Sequence, residues 1–152
     1  MTVLQTIRQW ISGFPQYDTL EDFSVDWTGP SPNNGGIMPG GLVEISRIKE
    51  VAGCVTVQNQ YNFTLYFVFP KAPDDDEGAE INAQWLLDFQ EWVQAQSCTR
   101  KAPQFGDEPS KESIKAQNGA LIGTDNEGTA LYSVQLSIQF IKKYQEENLW
   151  LT

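Results

Sequence analysis

The densest group of potentially reactive side chains is a run of four acids, Asp74-Asp75-Asp76-Glu77. Carboxylates bind hard cations, but calcium-binding loops place their ligands at alternate positions around a central glycine, whereas these four acids are consecutive. Consecutive acids also suit the beginning of a helix, because one can cap free N–H groups while the others face the positive end of the helix dipole. The run therefore predicts a helix start, and we expect neither a metal nor a cofactor there.

Groups for nucleophilic and general-base chemistry are scarce in this sequence. The chain has no histidine, which is the most common general base and metal ligand, and it has two cysteines, Cys54 and Cys98. Two thiols make neither a disulfide framework nor a four-ligand zinc site, so both are predicted to be free and partly buried. The 20 acidic residues could supply a carboxylate pair, but no spacing selects one. We therefore predict no catalytic residue.

A glycine- and proline-rich segment, Gly29–Gly41, is the other candidate site. It lacks the Gly-Lys-Ser/Thr ending of a phosphate-binding loop, and its prolines remove N–H donors that a phosphate cradle requires. Prolines and glycines at this density also argue against a helix or a central strand. We predict a loop, either a flexible connection or an assembly arm, with Asn33, Gly36 and Met38 as candidate assembly contacts.

Composition predicts a single domain over residues 1–152 and disfavours several function classes. Hydrophobic residues make up 40% of the chain and aromatic residues 12%, which is enough for a core. The net charge of −10 disfavours binding to nucleic-acid backbones and to anionic membranes. No apolar run approaches the roughly 20 residues needed to span a bilayer. The first residues also lack the pattern of a signal peptide, so we expect a cytosolic protein.

Apolar spacing predicts two amphipathic helices. The first covers residues 3–14 and is stopped by Gly13 and Pro15. The second follows the acidic run, and its inward face repeats at three and four residues: Ile81, Trp85, Leu86, Phe89, Trp92 and Val93. We expect the aromatic members, and Trp10 of the first helix, to be core residues rather than a ligand-binding surface.

Alternation of apolar and polar residues predicts the strands. A short strand contains Phe23, Val25 and Trp27, and two longer strands cover residues 42–51 and 54–69. A weaker strand over 114–122 precedes the last one. The order of elements predicts an α+β fold, in which an antiparallel sheet of about four to five strands carries two helices on one face.

The last strand has an unusual polar side. Its apolar residues, from Tyr132 to Phe140, alternate with uncharged polar residues: Ser133, Gln135, Ser137 and Gln139. The solvent-exposed face of a monomer usually carries more charge, whereas depletion of charge is typical of protein interfaces. These four residues are therefore candidate assembly contacts, with plain exposure to solvent as the alternative.

Three blocks of the sequence, taken together, resemble a family of phage minor capsid or tail-terminator proteins found in prophages of Gram-positive bacteria. The blocks are the first helix with the strand at 23–27, the aromatic strand 63–69 with the acid-capped helix, and residues 114–123 with the strand 130–140. No block is specific alone, but their order covers nearly the whole chain. The resemblance implies an α+β subunit without catalytic residues, which forms a ring, typically a hexamer, at the head-proximal end of the tail tube.

The resemblance also implies partners: further copies of the chain, the tail-tube protein and a head-connector protein. Assembly would occur in the host bacterial cytoplasm, and the final location would be the virion tail or neck. DNA would pass through the ring without specific binding, and a net charge of −10 suits a channel that repels it. The candidate channel-lining acids are Asp74, Asp75, Asp76, Glu77, Asp125 and Glu127.

Two alternatives remain open. Within the same class, the chain could be a head–tail adaptor or a tail-tube subunit, which would join the portal side or form stacks instead of ending a tube. From another class, it could be a small carboxylate-based hydrolase or ligand-binding domain. A deep pocket with two acids of perturbed pKa would favour that second alternative.

Overall fold

The fold is a single five-stranded sheet with two α-helices, within the part of the chain that the structure describes. The structure is a computed structural model, and the residues it describes are 1–26, 28, 31–72, 74–125 and 127–146. The predictions for Trp27, Gly29 and Pro30 lie outside the described residues.

The strands confirm the predicted α+β class. They are β1 (Asp22–Val25), β2 (Asn34–Lys49), β3 (Cys54–Pro70), β4 (Ser113–Thr124) and β5 (Thr129–Gln145). Their order in the sheet is β1-β2-β3-β5-β4, and all neighbouring pairs are antiparallel except β1 with β2, which is parallel. The sheet is therefore mixed rather than purely antiparallel. With only four residues, β1 is too short for its alternation to indicate a direction.

The helices are α1 (Val3–Ile11) and α2 (Asp76–Cys98). Thr2 caps α1 and Asp75 caps α2, each by accepting a hydrogen bond from a backbone N–H three residues further on. The acidic run thus begins a helix, as predicted. The first helix ends earlier than predicted, but Phe14 beyond it is 4% exposed and still belongs to the core. Among the described residues, no helix combines the length and the apolar character needed to cross a membrane.

The core lies between the two helices and one face of the sheet. Trp85 and Phe89 of α2 contact Phe67 of β3, with ring centroids 4.8 Å and 5.8 Å apart. Trp10 of α1 stacks on Trp92 of α2 at 5.0 Å, which joins the helices to each other. The aromatic stripe of α2 is therefore core packing, as its helical spacing predicts.

One predicted core position of α2 is wrong. Ile81 is 63% exposed, whereas its neighbour Asn82 is 6% exposed and donates from Nδ2 to the Pro70 carbonyl at 3.0 Å. The apolar pattern selects Ile81 because it lies four residues before Trp85. The hydrogen bond from Asn82 to the end of β3 instead orients the second turn of α2 with the asparagine towards the sheet.

The prediction of a loop over Gly29–Gly41 is wrong for its second part, because residues 34–41 belong to β2. β1 pairs with only the first four residues of β2, so from Met38 onward β2 is the outer strand of the sheet. An outer strand tolerates Pro39, which has no N–H to donate. Gly41, at φ +84°, lies at an irregularity in the pairing with β3, in a conformation that glycine adopts without strain.

Candidate assembly surface

The side of the sheet opposite the helices forms a polar surface over β3 and β5. Every second residue of these strands points to this side, and antiparallel pairing sets the two rows directly against each other. We call this surface the amide face, and its members are Gln58, Gln60, Asn62, Thr64, Gln135, Ser137 and Gln139. Three of the four predicted contacts on β5, Gln135, Ser137 and Gln139, thus belong to a larger surface. The sequence pattern alone singled out only the β5 members, because strand pairing is needed to add those of β3.

Side-chain hydrogen bonds connect the amide face across the two strands. Gln139 donates to the Gln60 side chain at 3.0 Å and accepts from Gln58 at 3.2 Å. Gln60 in turn donates to the Asn62 side chain at 2.7 Å. These bonds restrict the rotamers of the amides, and each amide still has donors or acceptors to spare for a partner. The surface is therefore preorganised for hydrogen bonding to another molecule.

Charge is depleted along the centre of this side of the sheet. The outward residues from Thr56 to Val68 on β3, and from Leu131 to Ile141 on β5, are all uncharged, although 20% of the chain is charged. Two lysines stand at the margin: Lys115 of β4, opposite Ser137, and Lys143 of β5, opposite Thr56. The centres of protein interfaces show the same depletion, because a buried unpaired charge is costly.

The predicted contacts outside β5 take different positions. Gly36 and Met38 lie on the same side as the amide face, since both pair with outward residues of β3, but Gly36 is buried and Met38 is half-buried. Asn33 instead fixes the start of β2: its φ is +66°, and its N–H donates to the Val68 carbonyl at 2.7 Å. Ser133 is only 7% exposed, so it offers little surface to a partner.

An open groove of about 780 Å³ lies at one end of this side. Its floor is apolar and includes Met38, Tyr66 and Leu131, and the acids Asp26 and Asp125 lie beside it. The structure thus brings together one predicted assembly contact and one predicted channel acid. The groove is shallow and wide, which suits contact with a protein segment better than enclosure of a small molecule.

Asp125 organises the turn between β4 and β5. Its carboxylate accepts hydrogen bonds from the Thr129 hydroxyl and from the backbone N–H groups of Thr129 and Glu127. These bonds, the hydroxyl first, lower the pKa of Asp125 below its ordinary value. The carboxyl therefore stays ionised near neutral pH, where it cannot act as a proton donor.

The predicted channel acids all lie at one end of the sheet. Pro70, at the end of β3, pairs with Thr129 at the start of β5. Just beyond this pair, the Lys71 N–H donates to the Gly128 carbonyl at 2.8 Å. The run Asp74–Glu77 follows β3 closely, while Asp125 and Glu127 come just before β5. These acids form an acidic end of the molecule, and none of them lies on the amide face.

The metal and thiol predictions have separate outcomes. Within the described ranges, no three side chains of His, Cys, Asp or Glu converge on a position that could hold a metal ion. Both cysteines are free, as predicted, and Cys54 is partly buried. Cys98 is exposed, contrary to prediction, because it belongs to the last turn of α2, beyond the core contact that Val93 makes.

The two outer strands of the sheet differ in how their free edges are covered. On β4, the Ile114 N–H donates to Ser97 Oγ at 3.0 Å, and the Ala116 carbonyl accepts from Gln90 Nε2 at 3.0 Å, both from α2. On residues 38–49 of β2, which we call the open edge, no described side chain makes such a bond to the backbone. Large apolar side chains of the open edge are 45–61% exposed: Leu42, Val43, Ile45 and Ile48.

The amide face and the open edge offer amide and backbone hydrogen bonds to another molecule. Surfaces of this kind bind other protein chains. The chain matches no protein-family model, and no curated protein sequence matches it. Its function is therefore inferred from these surfaces.

Proposed function

We propose that this chain is a structural subunit of a bacteriophage, a tail terminator that caps the tail tube and offers a surface for joining the head. The amide face carries the proposal, because it is a wide uncharged surface on a protein of net charge −10. A structural contact that depends on shape and hydrogen bonds needs such a surface. The resemblance in the order of the sequence blocks supports the phage assignment.

In this proposal the chain acts by geometric fit and needs no cofactor. Several copies, typically six, form a closed ring in the host bacterial cytoplasm, since repeated identical contacts either close or grow into a filament. The amide face docks on the last ring of the tube and covers the surface that the next tube subunit would need. The opposite end of the ring remains available to the head connector.

The acidic end has a role in the same proposal. Its carboxylates, Asp74–Glu77 with Asp125 and Glu127, would face DNA that passes through the ring, and like charge would prevent the DNA from binding. Reversing Asp125 and Glu127 to lysine is expected to slow DNA ejection from the particle. Normal ejection kinetics in that variant would count against the channel role.

Electron microscopy of lysates in which the gene has been interrupted in its prophage tests the terminator role. Overlong tubes without heads are expected, because nothing would stop tube polymerisation. Tails of normal length that fail to join heads would assign the adaptor role instead. Intact, infectious particles would contradict any structural role and return attention to a carboxylate-based activity.

A pair of matched variants tests the amide face itself. Gln135→Glu adds one charge to the amide face with almost no change in shape, and it is expected to fail to restore normal tails to the interrupted prophage. Gln94→Glu makes the same change at an exposed position of α2, on the opposite side of the sheet, and should restore them. Equal restoration by both variants would exclude the amide face as the docking surface.

A further inference from the structure

We infer that the free protein pairs its open edge with the open edge of a second copy, which joins two five-stranded sheets into one across a two-fold axis. This inference concerns the protein before any assembly and does not depend on the phage role proposed above. It follows from the backbone of β2, from the covering of β4 and from the order of side chains along the open edge.

The open edge has unused capacity for strand pairing. From Met38 to Lys49 its outward N–H and C=O groups are unpaired by any described residue, because β1 ends its pairing at Ile37. Four of its apolar side chains are also largely exposed. An exposed edge strand with apolar side chains is a template for another strand, and proteins that stay monomeric usually cover or charge it.

The strand that pairs with the open edge is the β2 of the second copy rather than its β4. An incoming strand at the start of β4 would have to displace Ser97 and Gln90 from the backbone groups they occupy. β2 and β4 each have two irregularities in their pairing, so the cover by Ser97 and Gln90, and not the regularity of the strand, separates the two edges. Pairing between edges of two copies therefore uses β2 on both sides, and like pairs with like across a two-fold axis.

Side-chain direction selects the register. Val43 and Ile48 pair with Gln60 and Thr56 of β3, so both point to the amide-face side. Glu44 and Arg47 point to the helix side. Paired residues of neighbouring strands must lie on the same face. An antiparallel pair whose two-fold axis passes between residues 45 and 46 satisfies this condition at 43 with 48 and at 44 with 47, because the irregularity between Glu44 and Ser46 places Glu44 and Arg47 on the same side.

In that register Val43 lies opposite the partner's Ile48, and Glu44 lies opposite the partner's Arg47. Symmetry repeats each contact, so the dimer gains two apolar pairs and two pairs of opposite charge. Glu44 and Arg47 already form an ion pair of 2.6 Å within one chain. In the dimer the four charges alternate in sign along the helix side of the join.

Sedimentation velocity of the purified full chain tests the dimer. The wild type is expected to be dimeric at about 100 μM and to dissociate on dilution. Val43→Lys should raise the dimer dissociation constant on the order of 100-fold, because the substitution occurs twice at the join. Leu121→Lys is the matched control on β4, since Leu121 is 49% exposed and Val43 is 48% exposed, and it should leave association unchanged.

A mixing experiment tests the register. Glu44→Arg alone places arginine opposite arginine, and Arg47→Glu alone places glutamate opposite glutamate, so each variant should associate on the order of tenfold more weakly than wild type. An equimolar mixture restores opposite charges at both pairs, and association should return to within about threefold of wild type. Mixing cannot repair the ion pair within each chain, so recovery reports the contact between copies.

Three results would overturn the inference: a wild type that stays monomeric at about 100 μM, equal weakening by Val43→Lys and Leu121→Lys, or no recovery on mixing. Circular dichroism of each variant confirms that the monomers are folded, so weaker association cannot be assigned to unfolding.

Discussion

The two free edges of the sheet, residues 38–49 of β2 and the strand β4, share several features and differ in how their backbone groups are covered. Both expose large apolar side chains, such as Val43 on β2 and Leu121 on β4, at 48% and 49%. Both have irregular pairing with their inner neighbour. Only β4 lies beside α2, whose Ser97 and Gln90 bind its free backbone groups. β2 receives comparable cover only along its first four residues, from β1.

This difference shows that the availability of an edge is set by tertiary packing more than by the strand's own residues. Exposed apolar side chains alone do not separate the two strands. The separation comes from whether a neighbouring element satisfies the outward N–H and C=O groups, because these groups are what a new strand would use. The inferred dimer and the contacts of α2 with β4 therefore do the same thing: each provides hydrogen-bond partners for the outward backbone groups of an edge strand.

The largest expected effect on stability comes from removing the packing that holds α2, the helix that covers β4, against the sheet. Phe89 of α2 is fully buried against Phe67 and Trp85, so Phe89→Ala should lower the free energy of unfolding by about 3–5 kcal/mol. Val43→Ala on the open edge should change it by no more than about 0.5 kcal/mol, because Val43 is half exposed in the monomer. Urea unfolding at low protein concentration measures both. Losses of similar size would contradict the comparison.

A smaller effect is expected when a single covering bond is removed. Ser97→Ala leaves the Ile114 N–H without its acceptor and should cost about 1–3 kcal/mol. Hydrogen exchange at the Ile114 amide should become about tenfold faster, since each 1.4 kcal/mol is a tenfold change in the opening equilibrium. Ser46→Ala is the control on the open edge, where the serine hydroxyl makes no hydrogen bond to a described residue, and it should be neutral. Unchanged exchange at Ile114 would show that α2 does not protect this edge.

Much of the fold follows from sequence patterns that depend on neighbouring residues. The helical spacing of Trp85, Phe89 and Val93 and the alternation from Tyr132 to Phe140 predict their elements correctly, because burial of one face enforces the period. The acidic run also predicts its cap at Asp75, since capping needs only residues close in sequence.

The features that sequence patterns missed depend on distant parts of the chain. Pro39 and Gly41 can stand in a strand because β2 is an edge of the sheet at that point, and no local sequence pattern indicates this. The amide face could be seen only in part, because Gln60 and Gln139 meet through pairing between strands 79 residues apart. The cover on β4 depends in the same way on where α2 crosses the sheet.

The irregularities of the two outer strands are expected to respond differently to an added methyl group. Gly41 of β2 and Gly123 of β4 both have open space around the position of a Cβ, but only Gly41 has a positive φ, at +84°. Gly41→Ala should therefore cost about 1–2 kcal/mol, the penalty for an L residue in that conformation. Gly123→Ala should be neutral or stabilising by up to about 1 kcal/mol, because alanine restricts the unfolded chain. Thermal unfolding of the two variants measures the difference, and equal effects would show that the positive φ of Gly41 is not required in β2.

The smallest expected effect on stability concerns the segment that covers the edge of β5 and is held there by an ion pair. β4 pairs with β5 only as far as Gln139. Past that point, the segment that precedes β4 covers the edge of β5, where the Asp107 N–H donates to the Ile141 carbonyl at 2.7 Å. The next residue, Glu108, pairs with Lys143 and Lys111. The hydrogen bond from Lys143, followed by that from Lys111, lowers the pKa of Glu108, and Glu108 raises the pKa of Lys143.

The sign of the pH dependence follows from these two directions. Glu108 contributes stability above the ordinary pKa of a carboxyl group, and this contribution is lost as the pH falls through the lowered pKa of the folded state. Lys143 contributes below the ordinary pKa of lysine and loses its contribution as the pH rises through its raised folded pKa. Glu108→Gln should therefore lower the urea midpoint at neutral pH and match the wild type in strong acid. Adding Lys143→Gln should cause little further loss, because the pair is already broken. A deficit that persists unchanged into strong acid would mean that Glu108 holds the cover by packing rather than by charge.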